Sequence, residues 1–320
     1  MLRLAVIGCG VMGSNHARIA SQSRDFELVA VVDADLARAR TVARAYGCQA
    51  FASADEVVDD IDCAIVAVPT QFHPSLAQQL ISAGIHTLIE KPLALTSREA
   101  TDICDLVASQ QVVATVGHVE RFNPAVLELD TLVTEPIHIT AERISPYSAR
   151  ISTGVVSDLM IHDLDIVCQI ANSNVVSVSA MVQQTRSATE DLAVAMLTFA
   201  NGVTATLTAS RIGQQKIRQL SVTQPGTFVV VNLLRQDVTI HRVDHTEYSD
   251  HQGMRFRETG VVEIPFLEHR GEPLALEQQE FAAAVNEARA PRVTLENGLR
   301  AVVLAEKVLE SASQRSTVYV

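Results

Sequence analysis

Of the 25 basic side chains in this chain of 320 residues, three are lysines (Lys91, Lys216 and Lys307) and the other 22 are arginines. Lys91 has an uncommon setting. The stretch His86-Thr87-Leu88-Ile89 reads as a buried strand, and Glu90-Lys91-Pro92 follows it without a gap. Arginine holds its proton at any working pH, whereas lysine can have its pKa moved and can take part in proton transfer. Lys91 is therefore a candidate chemical centre; the alternative is a solvated residue in a strand-to-loop turn. A second constellation is Asp158-x-x-x-His162. A carboxylate four residues before a histidine on a helix can orient the imidazole and stabilise its charged form, which makes the two a candidate general acid/base pair.

These groups need elements to hold them. Ser157 is a candidate N-cap for a helix running to Ile170. At about 100° per residue, Asp158, His162, Asp165 and Gln169 fall in a band roughly 60° wide. Nearly every other position is apolar, so the helix is expected to be buried. Buried polar groups need partners, so the stripe must face a wet cavity, the adjoining sheet or a partner subunit. Asp163 lies off the stripe, and the sequence names no partner for it.

Lys91 falls within a regular alternation of strands and helices. Leu2 to Ile7 is an apolar run of strand length, followed by Gly8-Cys9-Gly10-Val11-Met12-Gly13 and a helix over Ser14 to Ser21. Between a strand and a helix, the first glycine allows a tight turn and the second lets the backbone approach a pyrophosphate. The third lets the helix pack on the strand. A second strand, Glu27 to Val32, ends in Asp33, whose carboxylate can accept hydrogen bonds from both hydroxyls of an adenosine ribose and would repel a 2′-phosphate. NAD is thus favoured over NADP, a preference kept moderate by the nearby Asp35 and Arg38; the other reading of Asp33 is a helix N-cap. Helices follow over Asp35 to Tyr46, closed by Gly47, and over Ala54 to Asp59. The strand Cys63 to Val68 runs into Pro69-Thr70-Gln71-Phe72-His73-Pro74, a loop at the carboxyl end of a strand, where ligands bind in open α/β sheets. His73 can reach a cofactor ribose or nicotinamide there, or be an exposed loop residue or a cap for the helix that follows. Thr96 and Glu99 form a capping box for the helix after Pro92, and Gln111 to Val116 is a further strand ending in Gly117-His118. The pattern predicts a parallel doubly wound sheet.

After residue 119 the pattern changes, and the chain reads as two domains, 1–119 and 120–320. A helix is expected near Ala125 to Leu132 and a strand over Ile137 to Arg143. From Val175 onward the segments are mainly extended, with Asn201-Gly202 as a hairpin signal between Leu192 to Phe199 and Val203 to Ala209. Strands are also expected at Arg218 to Thr223, Gly226 to Asn232 and Val238 to Arg242, a loop or ragged hairpin over His241 to Glu263, and two closing helices from Leu274 and Leu295. This predicts an α+β domain, with a largely antiparallel sheet covered by helices on one face. The formal charge of −12, with no long basic run, argues against nucleic acid as a partner. No apolar run is long enough to span a bilayer, and the N-terminal one is too short for a signal peptide. Five scattered cysteines without Cys-x-x-Cys point to a reduced, cytoplasmic protein and to no metal site.

Gly8 to Gly13, Glu90-Lys91-Pro92, Arg121-Phe122-Asn123-Pro124 and Asp158-x-x-x-His162, in this order, resemble the glucose–fructose oxidoreductase / inositol dehydrogenase (GFO/IDH/MocA) family over essentially the whole chain. The resemblance implies an α/β protein with an N-terminal Rossmann domain and a C-terminal domain carrying a large, mostly antiparallel open sheet, often the site of dimer or tetramer contacts. It implies an NAD(P)-dependent oxidoreductase in which Lys91 lies near the nicotinamide and the reacting carbinol, His162 is the acid/base, and Asp158 orients the substrate or His162. The cofactor would then contact Gly8, Gly10, Val11, Met12, Gly13, Asp33, Val68, Pro69, Thr70, His73, Glu90 and Lys91. Within the family, residues 117–124 and 154–163 are similar to members of the UDP-N-acetylglucosamine 3-dehydrogenase type, which implies a sugar or nucleotide-sugar substrate. Its contacts would be His118, Arg121, Asn123, Arg143, Arg150, Asp158 and His162, the arginines being candidates for a diphosphate or for surface ion pairs. Two other readings are a biliverdin- or imine-reductase-like member of the same fold and a non-catalytic NAD-binding sensor.

Overall fold

Strands that are apolar on both faces need a cover on each side. The first part of the chain provides it by alternation: β1 (Leu2–Ile7), α1 (Val11–Gln22), β2 (Phe26–Val32), α2 (Leu36–Tyr46), β3 (Gln49–Phe51), β4 (Cys63–Val66), α3 (His73–Ser82), β5 (His86–Glu90), α4 (Ser97–Ala108) and β6 (Ala114–Gly117). The computed structural model describes residues 1–148, 153–242, 246–258 and 260–320. The six strands pair in parallel in the order β3-β2-β1-β4-β5-β6. Successive side chains alternate between two cores. Ala5, Ile7, Val32 and Val66 pack with Leu80 and Ile103 of α3 and α4. Leu4, Val6, Val31 and Ile65 pack with Ala17 and Ala39 of α1 and α2. The Thr96–Glu99 capping box forms, and Gly47 closes α2 in the left-handed conformation at φ 74°. Strand β3 was not expected, and the short helix expected at Ala54 to Asp59 is two 3₁₀ turns, Ala54–Glu56 and Val58–Asp60.

The next part begins with two short helices, α5 (Pro124–Leu127) and α6 (Leu129–Leu132), where one was expected. Then come β7 (His138–Ile144), a π-helical turn (Val156–Met160), α7 (Ile161–Ala171), β8 (Val175–Gln183), β9 (Leu192–Phe199), β10 (Thr204–Ser210), β11 (Ile217–Gln224), β12 (Thr227–Asn232) and β13 (Asp237–Arg242). The hairpin β14 (Thr246–Ser249) and β15 (Arg255–Glu258) and the edge strand β16 (Val261–Glu263) follow. With α8 (Pro273–Asn286), α9 (Leu295–Gln314) and β17 (Val318–Tyr319) the chain ends. One nine-stranded sheet has the order β16-β13-β12-β11-β7-β10-β9-β8-β17, antiparallel except for β10 beside β7. Asn201-Gly202 makes the β9–β10 hairpin, with Gly202 at φ 88°. Helix α7 packs on β7 and β10, while Met181, Val194 and Met196 of β8 and β9 are exposed.

By their contacts the described residues form two units, 1–122 with 271–306, and 123–270 with 307–320. Helix α8 and the first part of α9 thus belong with the parallel sheet, whereas the sequence reading kept them with residues 120–320. Phe281 of α8 lies 6.1 Å, centroid to centroid, from Phe26 of β2, so its apolar face completes the core over α1 and β2.

Candidate active site

In the first unit the carboxyl ends of β1, β2 and β4 open onto a cavity of about 570 Å³, lined among others by Gly8, Gly10, Asp33, Arg38, Val68, Pro69 and Phe72. Gly8 has φ 98°, and a Cβ on Gly13 would collide with the Gly8 carbonyl, so both must be glycine for the fold to close. Gly10 differs: a Cβ there would meet no protein atom within 4 Å. The fold alone does not need that glycine, but a pyrophosphate lying close to the backbone does. Gly10 is also the N-cap of α1, and no side chain caps this helix, which leaves its first-turn N–H groups available to an anion. Asp33 is held firmly at the end of β2. Its Oδ2 accepts from Cys9 N at 2.8 Å and from Arg38 Nη1 at 3.3 Å, and its Oδ1 accepts from Asp35 N at 2.8 Å. The N-cap of α2 is Asp35, not Asp33. These residues fit a dinucleotide, with the glycine loop under the pyrophosphate and Asp33 at the ribose. Burial and then the Asp33 charge push the Cys9 thiol up to about 12, so it stays protonated.

Of the expected cofactor residues, the cavity brings together Gly8, Gly10, Asp33, Val68 and Pro69; Val11, Met12, Gly13, Thr70, His73, Glu90 and Lys91 do not line it. Arg38, Ser53 and Gln79 line it and were not named as contacts. Only Arg38 had a signal, its nearness to Asp33. His73 is neither exposed nor in a loop: it is the first residue of α3 and is buried, with Nδ1 3.0 Å from Pro92 O and Nε2 3.0 Å from Val68 O. Burial lowers its pKa, and a neutral ring has one N–H, so it donates to one of these carbonyls at a time. It ties the loop after β4 to the turn after Lys91.

Glu90, at the end of β5, is buried and accepts from His16 Nε2 at 2.9 Å and from Lys91 N at 3.1 Å. Gln278 of α8 donates through Nε2 to His16 O and to His16 Nδ1, both at 3.1 Å. Because Nδ1 accepts, the hydrogen sits on Nε2 and points at Glu90. Burial pushes the Glu90 carboxyl up, but the His16 hydrogen bond and the Lys91 charge outweigh it and hold it below its usual range. Glu277, beside Gln278, is also buried, and among the described residues neither of its oxygens has a hydrogen-bond partner. Burial first, and the Glu90 charge second, raise its pKa well above the ordinary value, which favours the neutral acid. His118 and Arg121 of this unit are both buried, Arg121 in a 3₁₀ turn packed on α8.

In the second unit Asp158 lies in the π-helical turn and His162 in the first turn of α7. No side chain caps this helix; Ser157 is inside the turn, not its N-cap. A π-helical turn commonly marks a functional site, and it resets the angle between Asp158 and the residues of α7 from the value a continuous α-helix gives. Arg211, which no sequence argument singled out, places Nη2 3.5 Å from Asp158 Oδ2. Asp163 has a partner after all: Arg143 Nε donates to it at 3.0 and 3.1 Å and Nη2 at 2.7 Å, both side chains being buried. Arg143 is thus engaged inside the unit rather than at its surface. Gln169 donates to Asp130 at 2.8 Å. Asn123 caps α5 through Ala125 N at 3.1 Å and donates to Leu233 O at 3.0 Å. Arg150 lies outside the described residues. Among the described residues there is no group of three His, Cys, Asp or Glu that can hold a metal, and no helix long and apolar enough to cross a membrane.

Residues 2–118 match the model of an oxidoreductase family with an NAD-binding Rossmann fold, and residues 129–225 match the GFO/IDH/MocA C-terminal domain. UDP-N-acetylglucosamine 3-dehydrogenase of Acidithiobacillus ferrooxidans is 31% identical over 242 residues, 75% of this chain and 77% of that protein. A solved structure of that enzyme, GnnA, superposes with a TM-score of 0.89 over 98% of both chains at 28% identity. An inositol 2-dehydrogenase of Corynebacterium glutamicum is 31% identical over 198 residues, 58% of this chain and 59% of that protein. The chain belongs to the GFO/IDH/MocA oxidoreductase family, and its first unit is an NAD-binding Rossmann domain.

Proposed function

We propose that this enzyme oxidises a secondary hydroxyl of a sugar, the 3-hydroxyl of a UDP-N-acetylhexosamine, to a ketone with NAD. The observation that carries the reading is the likeness to UDP-N-acetylglucosamine 3-dehydrogenase along 98% of both chains. NAD, held by the glycine loop and Asp33, supplies the hydride acceptor. In this reading His162 takes the hydroxyl proton, Asp158 orients it, and the Lys91 ammonium stabilises the negative charge that develops on the oxygen. The hydroxyl loses its proton to His162 and its carbon loses a hydride, which leaves a ketone. The Asp33 carboxylate at the cavity supports NAD over NADP. His118, Arg121 and Arg143 are proposed substrate contacts or supports for them, the buried Arg143–Asp163 pair favouring support for Arg143.

The exposed Met181, Val194 and Met196 on the open face of the second sheet support a homodimer or homotetramer, which sedimentation velocity tests. The five free cysteines fit a cytoplasmic location. The test of function is absorbance at the reduced-nicotinamide band with NAD and, in parallel, UDP-N-acetylglucosamine, UDP-N-acetylgalactosamine and myo-inositol. The nucleotide sugars are expected to turn over. Turnover of inositol alone would replace the substrate assignment, and bound NAD without turnover of any of the three would point to a sensor.

A further inference from the structure

Arg211 follows β10 and has 1% of its surface exposed. Among the described residues none of its three guanidinium nitrogens finds a hydrogen-bond acceptor, and the ion pair it makes there is the 3.5 Å contact with Asp158. A guanidinium does not give up its proton in a protein, and a buried charge without a counter-charge is strongly unfavourable. The carboxylate of Asp158 is therefore what makes the buried position of Arg211 tolerable.

The backbone holds the two partners from one place. Glu190 takes the N–H of Val155 on its carbonyl and the N–H of Val156 on Oε1, both at 3.1 Å, at the start of the turn that carries Asp158. The next residue, Asp191, takes the N–H of Arg211 on its carbonyl at 2.9 Å. A Cβ on Gly154 would overlap the Glu190 carboxylate, which would have to swing aside and give up the Val156 N–H. The π-helical turn and the end of β10 are thus clasped to the same dipeptide at the head of β9.

We propose that Arg211 is a positioning residue for the acid/base pair. It acts through Asp158, fixing the Oδ2 edge of the carboxylate so that the π-helical turn presents Asp158 in one orientation. The proposal rests on the reading of Asp158 and His162 as that pair. Its test has two arms. In urea unfolding, Asp158→Asn alone is expected to lower the midpoint by stranding the guanidinium, and adding Arg211→Met is expected to restore part of the loss. Additive losses would overturn the pairing; if Arg211→Met does not fold, Arg211→Gln takes its place in the cycle. In turnover, Arg211→Met is expected to lower kcat on the order of 100-fold with KM for NAD unchanged. Arg211→Lys should keep more activity, and guanidinium ion should partly rescue Arg211→Ala. An unchanged kcat, or a KM for NAD that worsens in step with kcat, would overturn the positioning role. A wild-type enzyme that oxidises no sugar would defeat the parent reading alone, and the unfolding arm would still decide the pair.

Discussion

His16 Nε2 donates to Glu90 Oε1 across 2.9 Å, which joins the helix that leaves the glycine loop to the strand that leads into Lys91. Seventy-four residues separate them in sequence. His16→Leu is expected to leave the buried Glu90 carboxylate short of a donor and Gln278 short of an acceptor. A stability loss of about 2–4 kcal/mol follows from one charged and one neutral hydrogen bond. Urea unfolding measures it, and a loss below the scatter of the method would show that the bond does not matter to the fold.

Glu277 gives a pH dependence with a definite sign. Its folded pKa lies well above the ordinary value because of burial and then the Glu90 charge, so between about pH 4.3, the unfolded value, and the folded pKa the native state binds more protons than the unfolded one. Its contribution is fully present below that window and is lost as pH rises through it, by up to about 1.4 kcal/mol per pH unit. Glu277→Gln removes the titration. The variant is expected to gain on the wild type steadily as unfolding is measured from pH 5 to pH 8. Parallel stability curves would mean that Glu277 ionises normally.

Lys91→Ala is expected to lower kcat by about 100-fold or more, the scale of removing a group that stabilises developing charge. Binding of NAD, read by calorimetry, should change little, because Lys91 does not line the nucleotide cavity. Turnover like that of the wild type would remove Lys91 from the mechanism.

The Arg143–Asp163 pair is bidentate and buried. Replacing Asp163 takes a bidentate carboxylate away from a buried guanidinium, so Asp163→Asn is expected to cost about 3–5 kcal/mol. Arg143→Met with Asp163→Leu should cost much less. If the single change is as mild as the double one, the Asp163 carboxylate is not what makes the burial of Arg143 tolerable.

Gly13→Ala is expected to abolish NAD binding and to lower the melting temperature, since the added carbon collides with the Gly8 carbonyl. Gly10→Ala is the informative contrast. It should leave the melting temperature of the free protein nearly unchanged, because nothing lies within 4 Å of its Cβ, yet weaken NAD.

What the sequence made legible was local or periodic. The Thr96–Glu99 capping box, the left-handed Gly47 and the Asn201-Gly202 hairpin are each written in a few adjacent residues, and all three formed. Strand β3 escaped because three residues at a sheet edge carry no measurable alternation. The π-helical turn escaped because one widened turn leaves the apolar pattern of Leu159 to Ile170 intact while changing where Asp158 points. Glu277, Gln278 and Arg211 escaped for another reason. Their partners Glu90, His16 and Asp158 are remote in sequence, and the amphipathic period of α8 does not record which sheet the helix rejoins.

Asp33 accepts the Cys9 amide with the same Oδ2 that receives Arg38. The carboxylate proposed to meet the ribose is therefore also a fastener for the glycine loop proposed to meet the pyrophosphate. An engineer who exchanges it to admit a 2′-phosphate unfastens that loop in the same stroke. A switch of cofactor in this enzyme is accordingly a two-site redesign, in which position 33 changes together with a new acceptor for the Cys9 N–H.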